Sequence, residues 1–199
     1  MSFNPNEAQP TICPWVSLKD PIYVAYHNNE WGRPVYDPIE LFEKLCLDGQ
    51  QAGLSWITIL KKKQGYRDAF CQFDPYKIVE LSPEYLESQM DNKQIVRNRL
   101  KIASIVRNAN GYIKMKQQGV DFSEFLWSFV GGSPVINSYL TMDEVPVLTP
   151  ESTAMSKELK KLGFNFVGPT ICYAFMQAVG MVNDHLFDCA FYSECGGDK

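Results

Sequence analysis

Residues 149–182 read TPESTAMSKELKKLGFNFVGPTICYAFMQAVGMV, two apolar-faced segments around a glycine-bounded turn. Thr149-Pro150-Glu151-Ser152 places a hydroxyl at a helix-capping position and a proline at the first helical position, where a missing N–H removes no bond. A helix is therefore expected through Leu162. Gly163-Phe164-Asn165-Phe166-Val167-Gly168 is too short for anything but a turn, and Pro169 opens a second helix expected to reach Val182. Two helices joined by so short a glycine-bounded connection form an antiparallel hairpin.

The same grammar repeats outward from this hairpin. Asp37-Pro38-Ile39-Glu40 combines a capping Asp, a first-turn Pro and a capping-box Glu, and carries Leu41, Phe42, Leu45 and Cys46 inward before Gly49 permits a stop. Leu54 to about Phe70 reads as one further helix, and Asp74-Pro75 and Ser82-Pro83 each begin a short one. Ile95, Val96, Leu100, Ile105, Val106, Ala109 and Ile113 mark the longest helix, from Lys93 to about Gln118, which Gly119 ends. Phe122, Phe125, Leu126 and Phe129 share the face of a helix over 121–130, a Gly-Gly-Ser-Pro loop follows, and Val135 to Val147 carries no clear pattern. Alternating apolar patterns are nearly absent, so the expected class is all-α.

At 199 residues and 45% hydrophobic content the chain buries a real core. Its apolar stretches are broken by charge far short of the roughly 20 residues that a membrane helix needs. Residues 1–12 read as a disordered leader without signal-peptide features, 13–192 as one globular unit or as two helical subdomains with a pocket between them, and 193–199 as a tail. A cytoplasmic, monomeric protein is expected. Six cysteines without an export signal point to reduced thiols, and Cys46 and Cys172 fall at apolar helical positions. The net charge of −4 gives no bulk support for nucleic-acid binding, so any such contact must be local. Basic clusters lie at Lys61, Lys62, Lys63 and Arg67, at Arg97, Arg99, Lys101 and Arg107, and at Lys157, Lys160 and Lys161; each alone reads more readily as a solvated helix face.

Three constellations carry chemistry. His27 and His185 are the only histidines; Cys13 stands 14 residues before the first and Cys189 four after the second, a spacing that puts His185 and Cys189 on one side of a helical turn. Two thiolates and two imidazoles form the closed tetrahedral set of structural zinc, although spacing alone does not separate this from four unrelated residues. Trp15, Tyr23, Tyr26, Trp31 and Trp56 gather in the first third of the chain, four of them in a region read as irregular, where they suit either a pocket for a flat ring or ordinary packing. Asp48 sits beside them at a helix end. Gly163, Val167, Gly168 and Thr170 place free backbone amides at the start of a helix, a phosphate-binding geometry, with Ser156, Lys157, Lys160 and Lys161 nearby.

The runs AYHNNEWG (25–32), GQQAGLSW (49–56), FNFVGPTICY (164–173) and VNDH (182–185) closely resemble the 3-methyladenine DNA glycosylase I family, and the resemblance extends from about Cys13 to Tyr192. It implies a helix-hairpin-helix DNA glycosylase fold and one structural zinc held by Cys13, His27, His185 and Cys189, tying the N- and C-terminal segments. It further implies a base pocket built from the five aromatics, in which Tyr26 and the acid at position 48 hydrogen-bond a flipped base and Trp56 stacks on it. Gly53 and Leu54 match the segment that enters the duplex; Gly163 and Gly168, with Lys157 and Lys161, match the grip on double-stranded alkylated DNA. The family uses water and no Schiff-base lysine.

One departure stands out: the family carries Glu where this chain has Asp48, one methylene shorter. A lesion-binding module with weak catalysis is therefore one alternative, and a zinc-stabilised interaction protein unrelated to DNA is another. Asp184 is read either as the water-activating acid or as a partner that orients His185.

Overall fold

The computed structural model describes residues 11–198; the expected leader lies almost wholly outside the described residues. Ten α-helices are present among them: α1 Pro21–Asn29, α2 Pro38–Gln51, α3 Trp56–Leu60, α4 Lys63–Ala69, α5 Pro75–Ile78, α6 Pro83–Ser88, α7 Arg99–Gln117, α8 Phe122–Trp127, α9 Pro150–Lys161 and α10 Pro169–Ala178. The fold is predominantly helical, as expected. None of the described helices is long and apolar enough to cross a membrane.

The repeated cap-and-proline signature is the local cause. Asp37 accepts from the amides of Ile39 and Glu40, Asp74 from Tyr76 and Lys77, and Ser82 from Tyr85. Thr149 and Ser152 close a reciprocal capping box. Asp20-Pro21 carries the same signature and opens α1, so the aromatic region read as irregular is in large part a helix.

Other boundaries move for physical reasons. The helix expected over 54–70 is broken at Lys61 and Lys62 into α3 and α4. The longest helix starts at Arg99, because Asn98 turns its side chain onto the Lys101 amide. Gly49 does not end α2, which runs to Gln51; a Cβ there would stand 3.0 Å from Phe166, so the missing side chain serves a close approach of the hairpin turn. The last helix stops at Ala178, and Val182–Asn183 becomes a short strand, β2, paired in parallel with β1, Val135–Ile136.

The main core joins Leu41, Phe42 and Leu45 of α2 to Ile105, Ala109 and Tyr112 of α7, Phe122 of α8, Leu159 of α9 and Phe175 of α10. Each fully buried Phe or Leu there contributes roughly 1.5–3 kcal/mol. A smaller cluster gathers Cys13, Tyr26, Trp31, Leu60, Ala178, Leu186 and Cys189, and Trp56 packs against both. The terminal segments meet: Ala190 N donates to Thr11 O at 2.8 Å, and residues 193–195 form a 3-10 turn with Cys195 buried.

Candidate active site and metal centre

Between the two clusters opens a cavity of about 240 Å³, lined by Trp15, Tyr23, Tyr26, Trp31, Asp48 and Trp56 among others. All five aromatics singled out in the sequence, and the acid, are thus in one place. α1 supplies Tyr23 and Tyr26, three residues apart on one face, and Trp31 follows directly after it. Trp15 packs 5.3 Å from Tyr23 and 5.0 Å from Trp31, and Tyr26 lies 5.3 Å from Trp56, all as ring-centroid distances. The tilted and edge-on arrangement fixes the rings and leaves flat faces available to a guest ring.

Asp48 projects from the last turn of α2 and is 4% exposed. Among the described residues its Oδ2 is buried without any hydrogen-bond partner. A buried, unpaired carboxylate oxygen is costly, and native proteins rarely keep one without a use. Burial pushes the acid up to about 8, with the Lys44 ammonium pulling the other way. Burial, and after it the Asp48 charge, hold the Tyr26 phenol well above its ordinary value, so Tyr26 stays a neutral hydroxyl.

Sequence reasoning missed part of the lining: Gln51, Met142, Val145, Ala174 and Gln177. Met142 and Val145 come from the patternless 135–147 stretch. Thr170, Ala174 and Gln177 stand at i, i+4 and i+7 of α10, a helical face that the sequence did carry. Asp184 lines the cavity too, but it does not orient His185. Its carboxylate accepts from Tyr173 Oη at 2.6 Å, Gln177 Nε2 at 2.8 Å and Asn137 Nδ2 at 2.7 Å.

Beside the cavity, the ligand atoms of Cys13, His27, His185 and Cys189 lie within 4.8 Å of one another, all four residues buried. Cys13 Sγ is 3.7 Å from His185 Nδ1, Cys189 Sγ 3.4 Å from the same nitrogen and 3.7 Å from His27 Nε2. A tetrahedral ion with metal–sulfur and metal–nitrogen bonds of about 2.3 and 2.05 Å has sulfur–nitrogen edges of about 3.5 Å. The donor set therefore fits a metal ion. The outward ring nitrogens are also placed for it: His27 Nδ1 is 2.7 Å from Asn28 Oδ1, and His185 Nε2 3.2 Å from Trp31 O. The Cys13 hydrogen bond, followed by His185 and His27, drives the Cys189 thiol down toward thiolate. His185 and Cys189 converge through a turn, with Cys189 N donating to Leu186 O, and not through a helix. Gly32, at φ +77°, permits this closeness, since a Cβ would lie 2.9 Å from His185 Nε2.

A second hollow, of about 340 Å³, shares Asp48, Gln51 and Ala174 with the first and continues along Ala52, Gly53, Leu54, Thr170 and Ile171. It joins the α2–α3 turn to the start of α10. Gly53, at φ +74°, and Leu54, 40% exposed, form the crest of that turn. The hairpin turn is pinned from inside: Ser156 Oγ donates to Val167 O at 2.6 Å, and Asn108 accepts from Asn165 N at 2.7 Å. Gly163 sits at φ +93°, and a Cβ on Gly168 would meet nothing within 4 Å among the described residues. Lys157 is exposed, and Lys161 pairs with Glu158 at 2.7 Å. Most of the first basic cluster is held internally, Lys61 by Asp20, Lys63 by Glu30 and Arg67 by Glu43. In the second, Arg99 pairs with Glu87 and Lys101 is buried.

An aromatic cavity whose wall holds an acid unsatisfied among the described residues suits a flat heteroaromatic ring that carries a hydrogen-bond donor or a positive charge. The chain belongs to the methyladenine glycosylase family, whose sequence model matches residues 15–193. It is 51% identical over 179 residues to the DNA-3-methyladenine glycosylase of Haemophilus influenzae and 52% identical over 180 residues to DNA-3-methyladenine glycosylase 1 of Escherichia coli, covering 90% of this chain and 96% of each relative. Its fold is similar to a crystal structure of 3-methyladenine DNA glycosylase I at 52% identity (TM-score 0.89, 90% of this chain and 98% of that one). The Staphylococcus aureus enzyme, whose structure describes 3-methyladenine recognition, matches at 40% identity (TM-score 0.85, 91% and 94%).

Proposed function

We propose that this chain is a 3-methyladenine DNA glycosylase acting by base flipping and hydrolysis, without a lyase step. The observation that carries this reading is the buried Asp48 oxygen without a donor, in the wall of an aromatic cavity. An N3-methylated adenine carries a positive charge and an exocyclic amine, so it supplies both what a carboxylate lacks and what π faces favour. Asp48 accepts a hydrogen bond from the base edge, Tyr26 orients the ring, and Trp56 stacks on it with Trp15, Tyr23 and Trp31 completing the walls.

Because the lesion is cationic, the bond between base and sugar breaks with its electrons passing to the base, which leaves neutral. Water adds to the sugar carbon and loses a proton, giving free base and an abasic site. The enzyme's own contribution is selection and orientation of the cation.

Gly53 and Leu54 fill the space the base vacates. The α9–α10 pair acts as a helix-hairpin-helix, gripping phosphate through the amides at Gly168 and Thr170 with Lys157 and Lys161 nearby. Zinc occupies the Cys13, His27, His185 and Cys189 set as a structural ion; four protein ligands leave no position for substrate. The working form is a monomer in the cytoplasm.

The test is incubation with methylated duplex DNA and identification of the released base. Release of 3-methyladenine supports the reading. Tight binding without release would leave a lesion-binding module, with the shorter acid as the cause.

A further inference from the structure

The sequence placed Lys101 in a basic cluster open to solvent, and the structure removes it from there. It is 6% exposed, in the first turn of α7. Both circumstances are unfavourable: a cation at a helix N-terminus opposes the helix dipole, and burial lowers the Lys101 pKa by penalising the charged form. What offsets them lies on another helix. The Lys101 ammonium donates to Gln50 O and Ala52 O, each at 2.7 Å. These are carbonyls at the C-terminal end of α2, a region where helix geometry leaves acceptors without partners and where positive charge is favoured.

The clasp is reinforced in both directions. Gln50 Nε2 returns a hydrogen bond to Lys101 O at 3.1 Å, and Gln50 Oε1 accepts from Tyr66 Oη at 3.2 Å. Immediately beyond the clasped carbonyls the chain leaves the helix at Ala52, turns through left-handed Gly53 and presents Leu54. Among the described residues none lies within 4 Å of a would-be Cβ on Gly53, so at Gly53 the crest is open, and Leu54 N bonds back to Gln51 O at 2.6 Å.

We propose that Lys101 is a positioning residue for duplex opening, holding the Ala52-Gly53-Leu54 turn rigid so that Leu54 is driven into the base stack. This rests on the reading of Gly53 and Leu54 as the segment that enters the duplex. A flexible turn loses conformational entropy on insertion and presses less well against stacked bases, whereas a pre-ordered one does not.

The experiment compares Lys101→Met and Leu54→Ala with the parent, each as full-length protein with zinc content and melting temperature recorded. Three quantities are read: single-turnover release from methylated duplex, release from the same lesion in single-stranded DNA, and affinity for free 3-methyladenine from tryptophan fluorescence. Lys101→Met is expected to slow duplex release at least tenfold, to stay within about threefold of the parent on single-stranded substrate, and to bind the free base within twofold. Equal losses on both substrates with weakened free-base binding would overturn the proposal and assign Lys101 a purely structural part. Parent-like duplex release by Lys101→Met, with Leu54→Ala slow, would overturn it while leaving the wedge intact. Parent-like release by Leu54→Ala would sink the wedge reading and the proposal with it. Lys101→Gln, whose amide can still donate to one carbonyl, provides the same comparison if Lys101→Met does not fold.

Discussion

At position 48 the resemblance implies an acid one methylene longer than the Asp present. A carboxylate one carbon shorter falls about 1.5 Å short of the same point. The acid nevertheless reaches the cavity wall from the last turn of α2 and keeps one oxygen without a partner among the described residues. A charge-assisted hydrogen bond there is worth roughly 1.5–3 kcal/mol, or about ten- to a hundredfold in rate. Asp48→Asn should therefore lose at least tenfold in single-turnover release of 3-methyladenine at unchanged zinc content, and Asp48→Glu should be tolerated. Release by Asp48→Asn at the parent rate would mean that stacking and shape select the base alone.

The same residue sets a pH dependence. Its pKa is about 8 in the fold and about 3.9 in an unfolded chain, so between these values the folded state holds more protons and stability falls as pH rises. Asp48→Asn removes that slope, and its melting temperature should gain on the parent from pH 5 to pH 8. Activity runs the opposite way: the ionised acid accumulates toward pH 8, so release by the parent should climb over pH 6–8 while Asp48→Asn stays flat. A parallel pair of profiles would assign the titration to another group.

At the scale of elements, the hairpin offers a clean separation of fold from grip. Gly168 has φ −64° and open space where a Cβ would stand, so a side chain there strains nothing inside the protein. Gly168→Val should melt within a few degrees of the parent yet bind abasic-site duplex more weakly, because the added carbons occupy the approach to the α10 amides. Unchanged binding would put the phosphate grip elsewhere.

The elements also show what the sequence could carry. Helices opened by a capping residue and proline are legible at Asp37, Asp74, Ser82 and Thr149, whereas at Asp20 the surrounding aromatics mask the periodic face behind the same signal. Asn98 was likewise a readable cap for α7. The two-residue pairing of β1 with β2 was not legible, since residues 47 apart carry no local mark of their register. Met142 and Val145 reach the cavity from a stretch without periodicity, which no local rule locates. The Cys13, His27, His185 and Cys189 set and the aromatic walls are legible residue by residue, yet their adjacency depends on contacts across nearly the whole chain.

For the whole molecule, the Cys and His cluster joins the beginning of the described chain to its end. Metal binding in small zinc peptides supplies roughly 10–16 kcal/mol, and in a larger core only part of that falls on stability. If about 3 kcal/mol does, removing the ion with a chelator or by His185→Ala should lower Tm by about 6–12 °C. Metal analysis of protein purified without chelator should find one zinc per chain; finding none would remove the assignment.

Cys13 and His185 are separated by 172 residues, and Trp31, a wall of the cavity, touches His185 through its carbonyl. During synthesis the ribosome releases Cys13, Trp15, Tyr26 and Trp31 long before it releases the residues that hold them in place. The main core can condense around α2, α7 and α8 while translation continues, but the aromatic wall lacks the contact of Trp31 with His185 until His185 and Cys189 have left the exit tunnel. A nascent chain halted ahead of position 185 should thus resist protease over its central helices and still fail to retain free 3-methyladenine.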